Sequence, residues 1–371
     1  WHVYSLSHSA FQLGLIGLVQ FLPALTLTLV GGAAADSYDR RRIINVAQLV
    51  GLSAGSTLLW LTRSGRIDLP ALFAGVFVIS VAGAFENPAR AALLPSMVSR
   101  EKFPRAVTIS STNQALGFAA GPALGGLIIA EAGIKAAYLG YVVLIVLAFC
   151  GISMLRTGAP DPNVPRRTIS LHAIREGLSF VWSRPVVLGC MALDMFAVIF
   201  GGASALLPIY ANEILHVGAR GYGLLTSALE LGAFAMALLL MFRPPIRNAG
   251  RALLATIVVY GVATVVFGLS RAFPLSIAAY AIAGMADQVS VVMRATAIQL
   301  QTPDELRGRV SSVNMIFIGA SNQLGSMESG FVAALTNAPF AVVSGGLGCL
   351  LVVLIVAWRL PELRRYRVDP T

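Results

Sequence analysis

Eleven apolar runs constrain this chain more than any other feature of its sequence. They lie near residues 10–33, 43–62, 69–95, 106–130, 136–155, 186–210, 220–242, 251–269, 274–299, 307–333 and 338–358. Each is close to the roughly 20 residues that a membrane-spanning helix needs. Only 12% of the residues are charged, whereas a soluble domain carries about 25%. The pattern therefore predicts an all-α, multi-pass membrane protein.

The segment Gly32–Arg42 predicts the orientation of these spans. It carries a cluster of charged side chains from Asp36 to Arg42 between two apolar runs. An arginine at a membrane centre costs about 2.5–3.5 kcal/mol, so we expect a loop outside the hydrocarbon. With this loop in the cytoplasm, 20 of the 27 lysines and arginines lie inside and five outside. The positive-inside rule favours that orientation, with a cytoplasmic C-terminus in the cell (inner or plasma) membrane.

The same arginines explain the net charge of +10 without nucleic acid as a partner. They flank hydrophobic spans, and no basic and aromatic interleaving accompanies them. We therefore expect the lipid bilayer, and not nucleic acid, to be the partner of these charges.

One long polar stretch separates the spans into two groups. Between residues 156 and 184 it holds a helical stripe, which consists of Leu171, Ile174, Leu178 and Val181. The stripe predicts an amphipathic helix on the cytoplasmic membrane face; the alternative is a plain flexible linker. The predicted organisation is an N-terminal half (1–155), this linker (156–184), a C-terminal half (185–360) and a cytoplasmic tail (361–371).

The two halves also repeat each other weakly. A shift of 204 positions places Arg90–Gly126 on Arg294–Gly330, with identical residues at both ends of the window. Parallel repeats joined by a long inner loop are a transporter architecture. The second half has six spans, and the first has five preceded by the short segment Trp1–Ser9. We therefore expect an intact bundle of two pseudo-symmetric six-helix halves, whose first helix is missing from this sequence.

The charged loop resembles a motif of the major facilitator superfamily. That motif reads G-x-x-x-D-[RK]-x-G-[RK]-[RK], and Gly32, Asp36, Arg40 and Arg41 match it. Ser37 replaces the usual base, and Asp39 replaces the usual glycine. The resemblance implies a conformational latch that holds the two halves together in the outward-open state. The alternative is that these charges only set orientation.

A second motif resembles the fifth helix of exporters and proton antiporters in that superfamily. The pattern G-x-x-x-G-P-x-x-G-G is matched by residues 117–126 through Gly117, Gly121, Pro122, Gly125 and Gly126. Glycines four residues apart permit close helix packing, and proline bends a helix. The alternative is an ordinary packing face of a helical bundle.

A third resemblance is to the enterobactin-exporter-type branch, the transmembrane secretion effectors. It rests on Asn87–Pro95, Gln301–Pro303 and Gly308–Val310, and it covers nearly the whole chain. These motifs do not identify a substrate.

Five acidic residues fall inside predicted spans, and they are Glu86, Asp194, Glu230, Asp287 and Glu328. The resemblance implies that Glu86, Asp194 and Asp287 lie on helices that line a central cavity, together with Arg90 and Arg294. Glu86 and Arg90 are one turn apart and could neutralise each other; Asp287 and Arg294 are two turns apart on one face. A carboxyl group in such a site could carry a coupling proton. The alternative is a structural ion pair or a water-facing residue, and the sequence does not decide for Glu230 or Glu328.

The sequence lacks the patterns of other functional classes. It has no phosphate-binding glycine loop, no Ser-His-Asp set and no metal-ligand cluster, and its three cysteines fall in apolar runs. We therefore expect no cofactor, no metal and no enzyme activity. The leading hypothesis is a monomeric, proton-coupled secondary transporter that exports a small organic molecule, either a drug or a siderophore-like metabolite. The alternatives are an uptake symporter and a non-transporting membrane scaffold or sensor.

Overall fold

The computed structural model describes residues 1–99, 101–155, 171–243, 246–303 and 305–367. Within these ranges the chain is helical. The helices are α1 (His2–Ser7), α2 (Ala10–Ser37), α3 (Arg40–Arg63), α4 (Leu69–Met97), α5 (Phe103–Met154), α6 (Leu171–Ser183), α7 (Pro185–Gly201), α8 (Leu207–Ile209), α9 (Gly218–Met241), α10 (Ala249–Leu269), α11 (Phe273–Gln301), α12 (Arg307–Leu335), α13 (Ala338–Arg359) and α14 (Pro361–Arg365).

Each predicted span falls on helical residues, and all but 186–210 fall on a single helix of this set. In the described part of the chain, nine helices are long and apolar enough to cross a membrane. One of them, α5, has 52 residues and breaks at Gly133, which has a positive φ of 79°. The break lies where the sequence predicts a turn between two spans, so α5 contains both. Helix α12 is not one of the nine, although its 29 residues would reach across a bilayer.

The predicted loop Gly32–Arg42 is wrong in its extent. Helix α2 continues to Ser37 and α3 begins at Arg40, so only Tyr38 and Asp39 separate the two helices. Asp39 explains why α3 begins at Arg40, because its carboxylate accepts a hydrogen bond of 2.9 Å from the backbone nitrogen of Arg41. An acidic N-cap of this kind satisfies a helix donor that has no partner within the helix. The charges therefore lie on helix ends and not in an extended loop.

Helix α7 ends inside the sixth apolar run, at Gly201. The chain leaves the α-helix at Gly202 and continues as a 3₁₀ turn (Ala203–Leu206), α8 and a π-helical turn (Tyr210–Ile214). The Tyr260 hydroxyl on α10 donates a hydrogen bond of 3.1 Å to the Gly201 carbonyl oxygen. This bond satisfies an acceptor at the helix end, where carbonyl groups lack partners within the helix.

Among the described residues, two helix pairs make the largest contacts between residues 1–155 and 171–367. Helix α2 packs on α12, and α5 packs on α9. Both contacts depend on glycine. A Cβ atom on Gly17 would lie 2.9 Å from the Met327 nitrogen, and one on Gly126 would lie 2.7 Å from the Gly223 Cα. Small residues let helix backbones approach each other at such crossings.

Helix α6 occupies the end of the predicted linker. Its Val181 is fully buried, and its Glu176 forms an ion pair with Arg309 at the start of α12. A Cβ on Gly177 would lie 2.9 Å from the Arg309 carbonyl oxygen, so α6 packs closely on α12. Leu178 and Trp182 are exposed. The side chains of Leu171 and Ile174, the rest of the predicted stripe, and residues 156–170 lie outside the described part.

Candidate functional site

Arg40 and Arg41 bind the ends of neighbouring helices. The Arg40 guanidinium donates to the Ala35 and Ala92 carbonyl oxygens at 3.3 and 2.9 Å. Arg41 donates to the Leu155 carbonyl oxygen at 2.7 Å and also to the Ser153 carbonyl oxygen. Cations are favourable at helix C-termini, so both arginines hold α3 against the ends of α4 and α5.

The other two residues of the loop motif lie on α2. Gly32 is buried in the helix, whereas the side chain of Asp36 is outside the described part of the structure. The described contacts of Arg40 and Arg41 all lie within residues 35–155. The described part of this motif therefore binds helices of the N-terminal half.

The Glu86–Arg90 ion pair forms as its spacing predicts. The two side chains lie one turn apart on α4 and are paired. Gln48 on α3 adds a hydrogen bond of 3.3 Å from its amide nitrogen to the Glu86 carboxylate. The Arg90 side chain is 64% exposed. An arginine in the middle of a span needs water or a partner, so this face of α4 is suited to line a polar cavity.

Asp194 and Arg294 form a second ion pair, which the sequence does not predict. Asp194 lies on α7 and Arg294 on α11, and a guanidinium nitrogen of Arg294 contacts a carboxylate oxygen of Asp194. Each residue is only 7% exposed. The Arg294 Nε also donates to the Ser290 carbonyl oxygen at 3.4 Å. Removing one partner of such a buried pair leaves an uncompensated charge, so the pair has a large structural role.

Asp287 lies beside this pair. It lines a small cavity of about 10 Å³ together with Asp194, Thr256, Tyr260 and Ser290. That volume is near the least that a water molecule requires. Asp287 is half-buried and has no described ion pair, although it is two turns from Arg294. The structure thus brings Asp194, Asp287 and Arg294 together and gives the two acids different environments.

Glu230 is a candidate that the sequence left undecided. It lies on α9, which packs on α11, the helix that carries Asp287. Two glycines permit this approach, since Cβ atoms on Gly232 and Gly284 would collide with the carbonyl oxygens of Ala281 and Leu229. Small residues next to half-buried acids on two packed helices are the sequence signal for such a site.

The glycine-rich motif of α5 packs through one face only. Pro122 and Gly126 lie against Gly223 of α9. The side-chain directions of Gly117, Gly121 and Gly125 meet no atom within 4 Å. The three glycines spaced four residues apart therefore do not form the contact between α5 and α9. That contact depends on Gly126.

Aromatic side chains lie at the same end of the molecule as this crossing. Tyr4 donates a hydrogen bond to the Glu213 carboxylate. Trp1 packs on Tyr222 with ring centroids 5.4 Å apart. Phe11 stacks on Phe331 at 5.2 Å. These pairs extend the contact between residues 1–155 and 171–367 across this end.

The beginning of α5, on the other side of the first span from Gly126, has a different environment. Its five consecutive polar residues from Ser110 to Gln114 are all exposed. Because successive helical residues point about 100° apart, this segment is exposed on every side. No group of three or more His, Cys, Asp or Glu residues suitable for a metal was found among the described residues.

Comparisons with known proteins agree with this architecture. A family model described as transmembrane secretion effector matches residues 1–370. The enterobactin exporter EntS of Citrobacter koseri is 26% identical over 376 residues, which cover 99% of this chain and 88% of that protein. EntS of Escherichia coli strain SE11 is also 26% identical, with the same coverage.

Solved structures share the fold. A peptide transporter POT superposes with a TM-score of 0.74 at 14% identity, covering 95% of this chain and 87% of that one. A bacterial homologue of the human lysosomal transporter Spinster gives 0.71 at 14% identity, with coverages of 100% and 93%. At 14% identity these structures show a shared arrangement of helices alone, and the family is shown by the family model that matches residues 1–370. The chain therefore belongs to the transmembrane secretion effector family, a branch of the major facilitator superfamily of membrane transporters.

Proposed function

We propose that this protein is a proton-coupled exporter of a small organic molecule, which works by alternating access between two halves, residues 1–155 and 185–360. One observation carries the proposal: the halves contact each other at one end, and α5 is exposed on every side at the other. In the predicted topology the contact end is extracellular and the exposed end is cytoplasmic. The described conformation is then inward-facing.

Exposed polar residues in the middle of spans support a water-filled passage. Asn113 and Gln114 on α5 are exposed, and their polar groups would lack partners in lipid. The Arg90 guanidinium on α4 is 64% exposed even though it pairs with Glu86. A scaffold without a central polar cavity does not need them there. This passage would open to the cytoplasm and receive the substrate from that side.

Export is favoured over uptake by two observations. The similar proteins EntS of Citrobacter koseri and Escherichia coli carry the name enterobactin exporter. The Gly117–Gly126 segment also resembles the exporter motif, and its Gly126 lies at the extracellular contact. We therefore propose a siderophore-like metabolite or a drug as cargo, with an uptake symporter as the second candidate.

Proton coupling is assigned to Asp287, with Glu230 beside it. Arg294 already balances the negative charge of Asp194. Protonation of Asp194 would therefore break the ion pair. Asp287 has access to a water-sized cavity and a nearby acid instead. A proton that arrives from outside would neutralise Asp287 while the substrate leaves.

The motif of Gly32, Asp36, Arg40 and Arg41 is proposed as the latch of the outward-open state. Arg40 and Arg41 fix the cytoplasmic ends of α3, α4 and α5 as one unit, which a latch requires. A contact from this unit to the C-terminal half would form when the cytoplasmic ends close.

Transport by the purified full chain in proteoliposomes tests the function. With the cytoplasmic face oriented outward, an acid vesicle lumen should drive accumulation of enterobactin or ethidium in the vesicles, and an uncoupler should abolish it. Proton movement should be seen as alkalinisation of the lumen. Accumulation driven only by the opposite gradient would indicate symport. No cargo-dependent proton flux with either gradient, across a panel of catecholates and cationic dyes, would contradict the proposal.

The extracellular contact gives a second test. We expect Gly126→Ala to favour the outward-open state, because its Cβ would lie 2.6 Å from the Ala219 carbonyl oxygen. Overpacking costs about 1–3 kcal/mol, which corresponds to roughly a fivefold or larger rise in the open population. Labelling of Ala333→Cys, a site only 6% exposed, by an impermeant maleimide measures that rise.

Gly121→Ala is the matched control, because its Cβ direction meets no atom within 4 Å. It should leave the labelling rate unchanged and, by replacing a helical glycine, slightly increase stability. Equal labelling of the Gly126→Ala and Gly121→Ala variants would show that the crossing does not control the outer opening.

A further inference from the structure

Six exposed arginines surround the place where α10, α13 and α14 meet. They are Arg247, Arg251, Arg359, Arg364, Arg365 and Arg367. The one acidic residue on α14 is Glu362. A surface of this charge attracts phosphate groups, which guanidinium binds in a bidentate geometry.

This surface is fixed by the fold. Leu363 on α14 is only 1% exposed, and the Tyr366 carbonyl oxygen accepts a hydrogen bond of 3.1 Å from the Gly250 nitrogen. Any Cβ on Gly250 would collide with the Leu363 carbonyl oxygen. The arginines that flank Leu363 and Tyr366 are therefore held next to the first turn of α10. The positive-inside rule requires charge on this side but not such a docked arrangement.

The surface also lies at the end of two apolar stripes. On α10 the exposed residues Val266, Val262, Val258 and Ala255 lead to Arg251 with helical spacing. On α13 the exposed Leu347, Leu351 and Leu354 lead to Trp358, which is 75% exposed. The Arg359 guanidinium lies 4.9 Å from the centre of the Trp358 ring. Tryptophan marks the membrane interface, so these arginines lie at headgroup level.

An apolar groove lies deeper in the membrane than these arginines. It has a volume of about 300 Å³ and lies between α10 and α11, where Val258, Val262, Leu275 and Ile282 help to line it. Val258 follows Arg251 by two helical turns, a distance of about 10 Å along the axis. An acyl chain that starts at the arginines would enter the groove at that depth.

We propose that this arginine surface and the groove form a binding site for an anionic phospholipid. The phosphate would lie among the arginines and an acyl chain in the groove. A soluble anion or an acidic protein would use the arginines but not the groove. The proposal requires only that the chain spans a membrane, and it is independent of the transport direction.

Thermal unfolding of the full chain in neutral detergent tests the site. Phosphatidylglycerol should raise Tm by about 3 °C or more above phosphatidylcholine with the same acyl chains. The triple variant Arg251→Gln, Arg364→Gln, Arg367→Gln should lose this difference. The control triple Arg66→Gln, Arg220→Gln, Arg271→Gln removes equal charge at other exposed positions and should keep it.

Two further measurements distinguish a bound phospholipid from a soluble anion. Inorganic phosphate should not reproduce the shift, and Val262→Trp, which fills the groove, should reduce it. The proposal is overturned if phosphate alone gives the full shift, or if the Arg251→Gln, Arg364→Gln, Arg367→Gln triple responds to phosphatidylglycerol as the wild type does. An unchanged shift in Val262→Trp would overturn the assignment of the acyl chain to the groove.

Discussion

Replacing Arg294 by methionine is expected to lower the free energy of unfolding by about 3–5 kcal/mol, because the Asp194 carboxylate would remain buried without its partner. Both residues are 7% exposed, so bulk water cannot compensate. Asp194→Asn should have an effect of similar size, since it leaves the guanidinium unpaired. The double variant Asp194→Leu, Arg294→Met should recover most of the loss, because apolar replacement of a buried pair is often neutral.

A thiol-reactive dye measures this unfolding directly. Cys190 and Cys349 are fully buried and react when the fold opens. Cys150 is exposed, so it is first replaced by serine in all variants. Arg90→Met is the control: the Arg90 side chain is 64% exposed and that of Glu86 is 18% exposed, so water can replace part of the lost contact and the loss of stability should be smaller than for Arg294→Met. Equal loss of stability in Arg90→Met and Arg294→Met would contradict a special role for the buried pair.

The contrast between these two arginines shows what a sequence can predict. Arg90 and Arg294 occupy equivalent positions in the 204-residue repeat. The partner of Arg90 is four residues away on the same helix, so helical spacing alone predicts the pair. The partner of Arg294 lies 100 positions earlier on another helix. Such a contact depends on how α7 packs on α11, and no periodicity in the chain encodes that.

In the fold, too, the sequence predicts local features but not those that depend on packing between helices. Apolar runs predict where helices form, because each must satisfy its own backbone in the membrane. The end of α2 was predicted too early, since the charges from Asp36 onward suggested a loop although a helix end can carry them. The glycine motif predicted close packing for Gly117, Gly121 and Gly125, which face open space. Only the positions of neighbouring helices reveal that Gly126 makes the contact.

Substitution of Asp287 by asparagine is expected to abolish proton-driven accumulation while the protein stays folded. Asparagine keeps the size and polarity of the side chain but cannot carry a proton. We expect a loss of about tenfold or more in gradient-driven transport, equivalent to 1.4 kcal/mol. Exchange of labelled for unlabelled cargo without a gradient should persist, because it needs the conformational cycle and not net proton transfer. The measurement is the ratio of these two rates in the same proteoliposomes.

Variants of two other acids show whether the effect of Asp287→Asn is specific to that residue. Glu230→Gln should reduce driven transport partially, because Glu230 lies on α9, which packs on α11, and is the second acid that we propose for the proton pathway. Glu328→Gln is the control; Glu328 accepts a hydrogen bond of 3.3 Å from Ser329 and is not among the cavity residues. If Asp287→Asn keeps driven transport while Glu328→Gln loses it, the proton site lies on α12. If Asp287→Asn loses exchange and driven transport equally, Asp287 holds the cargo or the fold and not the proton. Because Asp194 is bound to Arg294, only Asp287 among the acids of this cavity can lose its charge without breaking an ion pair.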